Sequence, residues 1–354
     1  MQKLDFVYQA RAGRVIFGPG SLGHLEREVL NLKSERALIL CSAEQKQTGE
    51  AVAARLGSRA AAVFDRAVMH VPVELAKEAR ALARELHADC AIAVGGGSTV
   101  GLGKAIALES DLPILAIPTT YAGSEMTPIF GITEAGLKRT GVDLRVLPKT
   151  VIYDPTLTTS LPVEMSVTSG INAIAHAAEG LYSKDANPVT SLMAEEGIAA
   201  LVRAIPGIVA EPADIEARSH ALYGAWLCGT VLGSVGMALH HKLCHTLGGS
   251  FNLPHAQTHT IVLSHALAYN RDAAPEAMKR IARALGSEDA AVGLYQLAKK
   301  NGAPTALKDI GMRAEDVEKA ADIAIANSYW NPRPVEREAI FALLRDAYEG
   351  VAPR

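Results

Sequence analysis

Six of the eleven histidines in this chain lie between positions 240 and 265: His240, His241, His245, His255, His259 and His265. An imidazole can ligate a metal, carry a proton near neutral pH, or donate a hydrogen bond to an anion. Surface polarity does not account for six of them in one stretch. His241 and His245 are four residues apart and share a helix face. His255 follows Pro254 in FNLPH, a loop that can fold it back toward that face. A second pair at the same spacing, Asn172 and His176, stands in SGINAIAHAAEG. The residues alone leave three arrangements open. One is a divalent metal on His176, His241 and His255 with water as fourth ligand. Another is a metal-free pocket in which imidazoles and an amide hold an anionic substrate and move protons. The third is a set of separate core histidines, each satisfied by a backbone carbonyl.

A different chemistry sits upstream. AIAVGGGSTVGLGKAIAL, residues 91 to 108, reads as strand, glycine turn and helix. Gly95, Gly96 and Gly97 carry no side chains, so backbone N–H groups can approach a phosphate there. Ser98 adds a hydroxyl, and the helix that follows presents its positive end. This suits the pyrophosphate of a dinucleotide. The spelling is not GxGxxG and does not follow the first strand, so it is not the usual Rossmann fingerprint. A second turn, IPTTYAGSEMT at 117 to 127, puts Thr119, Thr120, Ser124 and Thr127 at the end of the next strand. In open parallel sheets that end is where ligands bind.

These groups need elements to hold them. Strand-like runs at Arg14–Phe17, Ala37–Cys41, Ala62–Phe64, Ala91–Val94, Ile114–Ile117 and Val151–Tyr153 alternate with helical patterns such as VELAKEARALARELHA. The alternation predicts a mostly parallel sheet covered by helices. After Pro155 strand signals stop, and Pro162, Pro188, Pro206, Pro212, Pro254, Pro275 and Pro304 fall at spacings suited to helix starts. The expected organisation is an α/β dinucleotide-binding domain over residues 1–158 and an all-α substrate domain over 159–354. Residues 221 to 239 carry no charge and are long enough to cross a bilayer. With Gly224, Gly229, Gly233 and Gly236 they read as a buried helix that another helix approaches closely.

Composition sets the outer limits. The chain has 354 residues, 49% of them apolar, which is incompatible with a disordered chain. Its 35 basic and 38 acidic residues give no support for a nucleic-acid or membrane-surface partner. Cys41, Cys90, Cys228 and Cys244 form no CxxC pair, and the N-terminus lacks the apolar core of a signal peptide. A reducing cytoplasm is the expected compartment.

Taken together, RVIFGPGSL, GGGS, PTTYAGSE, DPTLT, INAIAH, HHKLCHTLGGSFNLPH and NPRP resemble the iron-containing alcohol dehydrogenase superfamily along nearly the whole chain. The resemblance implies a dehydroquinate synthase-like fold, with an N-terminal Rossmann-like α/β domain and a C-terminal helical domain. It also implies a homodimer. Metal-dependent members hold iron or zinc with one Asp and three His. Carried over by spacing, the His positions fall on His176, His241 and His255, and the Asp position on Asn172. The carboxylate is therefore absent, and Gly101 stands where metal-dependent relatives carry a further Asp. Those departures resemble the maleylacetate reductase subgroup. That subgroup reduces a conjugated carbon–carbon double bond with NADH or NADPH during the breakdown of aromatic compounds.

The implied roles follow from that subgroup. His176, His241 and His255, with Asn172, line a pocket for a small dicarboxylate. Imidazolium or other hydrogen-bond donors there stabilise an enolate without metal. His245 lies near the nicotinamide and is the expected proton donor, and Lys242 attracts the dianion. Tyr121 and Arg333 are further candidates for the pocket. Gly95, Gly96, Gly97 and Ser98 take the pyrophosphate, and Thr119, Thr120, Ser124 and Lys138 contact the rest of the cofactor. Ser42 replaces the ribose-binding Asp of NAD-specific relatives, so NADPH is expected to be accepted beside NADH. The rival expectation is a metal-dependent iron or zinc alcohol dehydrogenase acting on a small alcohol or aldehyde.

Overall fold

The computed structural model describes residues 6, 8–10, 13–134, 137–326 and 328–354, without the side chains of residues 137 and 138. The chain divides into two compact units, one of residues 10–161 and one containing residues 162–354. The division falls between Leu161 and Pro162, so the turn Pro155–Thr158 and the residues up to Leu161 belong to the first unit.

The N-terminal unit is built on strands β1 (Arg14–Phe17), β2 (Ala37–Leu40), β3 (Ala60–Phe64), β4 (Cys90–Gly95), β5 (Ile114–Pro118), β6 (Ile129–Glu134), β7 (Leu137–Val142) and β8 (Thr150–Tyr153). Helices α1 (Leu25–Asn31), α2 (Lys46–Leu56), α3 (Val73–Glu85) and α4 (Gly97–Ser110) connect them. Six strands form one parallel sheet in the order β1-β8-β5-β4-β2-β3. Both faces are covered, as an all-parallel sheet requires. Alternate strand residues enter two separate cores: Ile39, Ile92, Leu115 and Ile152 on one side, Leu38, Leu40, Phe64 and Ala91 on the other, where Ile106 of α4 packs on them. The strand order reverses between β2 and β4, the position at which open α/β sheets bind ligands.

Two features explain motifs seen in the sequence. At the end of β8 the buried Asp154 carboxylate accepts the N–H groups of Gly20 and Leu22, each at 3.0 Å, and so ties GPGSL to DPTLT. Gly101 lies on α4 against the segment before α3, where a Cβ would come within 2.9 Å of Val71 Cγ2. Val71 already holds φ 43, a strained value for a β-branched residue.

The antiparallel hairpin β6–β7, paired from Ile129↔Val142 to Glu134↔Leu137, was not expected. Its packing rests on the Phe130 ring lying over Gly141, where a Cβ would come within 2.6 Å of the ring. An aromatic covering a glycine leaves little apolar alternation to read.

The second unit, among the described residues, contains helices and loops only. The helices are α5 (Val163–Tyr182), α6 (Pro188–Ala210), α7 (Ile215–Ser234), α8 (Leu239–Phe251), α9 (His255–Asn270), α10 (Pro275–Leu285), α11 (Ala290–Lys300), α12 (Asp316–Ala326) and α13 (Arg337–Glu349). Pro162, Pro188, Pro254 and Pro275 do sit at helix starts. Pro206 does not; it lies inside α6. It is exposed near the helix end, so water can satisfy the carbonyl that loses its N–H partner. Gly197 of α6 and Gly224 of α7 let those helices approach closely: a Cβ on Gly224 would meet Leu201 Cγ at 2.7 Å. Among the described residues no single helix is long and apolar enough to cross a membrane; α7 and α8 pass that test only as a pair bent by 96°.

Candidate active site

Helix α5 presents Asn172, His176 and Glu179 at spacings of four and three, so all three share one face. All are buried, Glu179 completely. The Glu179 carboxylate organises what lies around it. It accepts the Ala238 N–H at 2.8 Å, the His240 N–H at 2.7 Å and the Tyr182 hydroxyl at 3.3 Å. Those backbone donors belong to the start of α8, whose positive end suits a buried anion. The same carboxylate lies 2.7 Å from His241 Nδ1. A carboxylate accepts, so His241 carries its proton on Nδ1 and leaves Nε2 available.

His241 Nε2, His176 Nδ1 and Asn172 Oδ1 are buried with no hydrogen-bond partner. The His176 and His241 rings lie 5.2 Å apart. Buried polar groups are normally paired, and orphans on neighbouring side chains mark a place that a ligand completes. Burial pushes His176, His240 and His259 well below the ordinary imidazole range, and the neighbouring imidazoles push them further. Burial thus favours the neutral form of these three rings.

His245 and His255 are exposed. The His245 ring is 6.0 Å from that of His241, and the His255 ring is 4.3 Å from that of His259. His245 Nδ1 lies 3.1 Å from the Tyr329 hydroxyl. Lys242 Nζ sits 5.9 Å over the Tyr329 ring, a cation–π arrangement. The expected residues thus form a buried floor of Asn172, His176 and His241 and a more open group of His245, Lys242 and Tyr329. Arg333 is committed elsewhere: its guanidinium donates to the Tyr269 carbonyl at 3.1 Å and stacks 4.1 Å over that ring.

In the N-terminal unit Gly96 caps α4, whose first-turn N–H groups have no intrahelical acceptor. Gly95 holds φ 150, and a Cβ there would come within 2.6 Å of Thr99 Oγ1. A Cβ on Gly96 would come within 2.9 Å of Thr120 Oγ1. The Thr119 N–H donates to the Gly95 carbonyl at 3.2 Å, and Gln45, just after β2, donates to Thr119 Oγ1 at 2.8 Å. The ends of β2, β4 and β5 are thereby joined into one cradle. Ser42 stands at the end of β2, but its hydroxyl bonds the Glu44 carboxylate and holds it below the usual carboxylate range.

Ser124 is not a free hydroxyl. Buried Lys104 donates to Ser124 Oγ at 3.2 Å, to the Ser124 carbonyl at 2.6 Å, to Thr127 Oγ1 at 3.0 Å and to the Ile129 carbonyl at 2.7 Å. Beside it, buried Glu125 accepts the Tyr153 hydroxyl at 2.7 Å. Tyr121 is fully buried in this unit. The Lys138 side chain lies outside the described residues.

Sequence reasoning missed Glu179, Tyr329 and Lys104. Glu179 and Lys104 carried one usable signal, a single charge within a run otherwise free of Asp, Glu, Lys and Arg, 165–183 and 91–108. Tyr329 had none.

Residues 12–155 match the profile described as iron-containing alcohol dehydrogenase, and residues 166–348 match the C-terminal profile of the Fe-containing alcohol dehydrogenase family. The chain belongs to the iron-containing alcohol dehydrogenase family. It is 63% identical over 348 residues to a maleylacetate reductase of Burkholderia cepacia, covering 98% of this chain and 99% of that one. The maleylacetate reductase structures from Rhizobium sp. strain MTP-10005 and Agrobacterium tumefaciens each superpose with a TM-score of 0.96, at 53% and 52% identity, over 99% of this chain and 100% of those.

Family membership raises the question of a bound dication. At the position of the family's carboxylate this chain offers the amide of Asn172, so the set with His176, His241 and His255 is neutral throughout. A neutral amide oxygen neither compensates the charge of a dication nor binds it as a carboxylate does. Asn172 therefore weakens the family's ligand set, while His176, His241 and His255 remain a trio of the kind that can hold zinc with a water as fourth ligand.

Proposed function

We propose that this chain is an NAD(P)H-dependent oxidoreductase that reduces the carbon–carbon double bond of maleylacetate to give 3-oxoadipate, a step in the degradation of aromatic compounds, without a metal. The observation that carries this reading is Asn172, buried with its Oδ1 unpartnered beside the open nitrogens of His176 and His241.

The chemistry explains why an amide suffices. An alcohol dehydrogenase must stabilise an alkoxide made directly from a carbonyl, where a Lewis-acid metal is worth several kcal/mol. Here the ketone is conjugated to the double bond. The reduced nicotinamide, when bound, supplies a hydride to the carbon beta to the ketone. The electron pair of the double bond moves onto the ketone oxygen as an enolate, and a proton then joins the adjacent carbon. An enolate is delocalised and less basic than an alkoxide, so neutral donors can steady it. On this reading the Asn172 amide and the His176 and His255 rings hold the substrate's oxygens. His241, its proton held on Nδ1 by Glu179, presents Nε2 as an acceptor and so takes a hydrogen bond there without being one of the donors to the anion. His245 is exposed, so it can recharge from solvent, and it delivers the proton with Tyr329 bonded to its other face. Lys242 draws in the dianion.

For the cofactor we propose Gly95, Gly96, Gly97 and Ser98 at the pyrophosphate, with Thr119 and Thr120 beside them. Ser124 and Lys104 act behind that surface. Glu44 next to Ser42 disfavours a 2′-phosphate, so NADPH is accepted less well than NADH. We also propose a homodimer, on family analogy, and a cytoplasmic site of action, on the four unpaired cysteines.

The test is NADH oxidation with maleylacetate, with and without chelator, on enzyme prepared without added metal. Turnover that survives chelation is the expected result. Activity lost to chelator and restored by zinc or iron would overturn the metal-free reading and favour a metal-dependent alcohol dehydrogenase. Absence of turnover under all conditions would overturn the substrate assignment.

A further inference from the structure

A second cluster of ligating atoms lies next to the pocket, and the reduction makes no use of it. His240 of α8 and His259 of α9 are fully buried, with His240 Nε2 and His259 Nδ1 2.9 Å apart. Cys244, one turn along α8 from His240, places Sγ 3.7 Å from His240 Nε2. The three ligand atoms lie within 4.8 Å of one another. His259 Nε2 is buried and unpartnered.

Tetrahedral zinc, with bonds of about 2.0–2.1 Å to imidazole and about 2.3 Å to thiolate, sets nitrogens about 3.3 Å apart and nitrogen and sulfur about 3.6 Å apart. The observed nitrogen–sulfur edge is close to that value. The nitrogen–nitrogen edge is shorter because a hydrogen bond joins the rings, and exchanging its proton for a cation lets them part. One thiolate and two imidazoles make a soft donor set, suited to zinc and cobalt and unsuited to magnesium or calcium.

We propose that His240, Cys244 and His259 form a binding site for one zinc-class dication, distinct from the family's ligand set, with the fourth position open. Binding releases one proton, from the Cys244 thiol. The proton shared between the rings moves to the outer nitrogen of its own ring, His240 Nδ1 or His259 Nε2. The cation then cross-braces α8 and α9. This inference does not depend on the reductase reading, since it concerns cation binding and not turnover.

The probe is cobalt, titrated into full-length chain stripped of metal. The expected result is one bound equivalent, a thiolate-to-cobalt charge-transfer band in the near ultraviolet, and a raised unfolding temperature. Cys244→Ser should abolish the band and weaken binding about tenfold or more, the least that loss of a direct ligand costs. His259→Gln should weaken binding similarly, while His255→Gln should leave the band in place. Circular dichroism checks that each variant folds. Should Cys244→Ser fail to fold, zinc-edge X-ray absorption on zinc-loaded wild-type chain decides, with one sulfur and two imidazole nitrogens expected. No binding, binding without a sulfur ligand, or a band that survives Cys244→Ser would overturn the proposal.

Discussion

Glu179→Gln is the most informative single change, because one carboxylate does two jobs. It caps α8 through two backbone N–H bonds of 2.7 and 2.8 Å, and it fixes the proton of His241 at 2.7 Å. Glutamine keeps the shape but loses the charge. One oxygen becomes an NH2 group facing donors that need an acceptor. Hydrogen bonds to a buried charged group contribute about 1.5–3 kcal/mol each, and a buried donor left unpaired costs about 1–3 kcal/mol. One donor left facing an NH2 group, together with the weakening of the other bonds from charged to neutral, costs about 2–5 kcal/mol, and we take that range for this variant. Against a typical stability of about 5–15 kcal/mol, the protein should still fold. Urea unfolding measures the loss. Steady-state turnover measures the second effect: with the His241 proton no longer confined to Nδ1, the ring is misoriented in the pocket and kcat should fall by about a hundredfold, the cost of a misplacement of about 1 Å. A stability loss below about 1 kcal/mol, the size of one ordinary hydrogen bond, together with unchanged kcat, would refute the assigned role of Glu179.

Three further outcomes follow from the same geometry. Asn172→Asp restores the carboxylate beside His176 and His241; it should create tight zinc or iron binding, seen by metal analysis, and lower maleylacetate turnover. Gly96→Ala forces a Cβ to within 2.9 Å of Thr120 Oγ1, so it should raise KM for NADH while costing about 1–3 kcal/mol of stability by overpacking. Burial pushes Lys104 down to about 7, against Glu125, which pulls it up. The unfolded lysine, at about 10.4, keeps its proton where the folded one has lost it, so stability from this group rises as pH climbs from about 7 to about 10. Glu125, pushed up by burial, contributes a slope of the opposite sign. Urea unfolding at pH 7 and 9 should show the rise in the wild type and lose it in Lys104→Met.

The parallel sheet, the helical second unit and the glycine cradle were legible because they rest on local pattern. Short apolar runs such as ALIL and AIAV, bounded by turn signals and alternating with helical patterns, read as strands buried on both faces. Three glycines after a buried strand leave room that side chains would close, as Gly95 against Thr99 and Gly96 against Thr120 show. The hairpin was missed because Phe130 over Gly141 replaces the usual alternation. Ser124 looked like a cofactor hydroxyl because nothing in PTTYAGSE shows that Lys104, twenty residues earlier, ends on it.

By itself the sequence determined which residue types are available: an amide at position 172 where a carboxylate would hold a dication, with imidazoles spaced to share helix faces. Tertiary structure alone decided their chemical states. Glu179 selects the tautomer of His241 across 62 residues of chain, and burial favours the neutral form of His176, His240 and His259. The reason is physical. Spacing along a helix is a local property of the chain, whereas protonation depends on desolvation and on charges that only packing brings near.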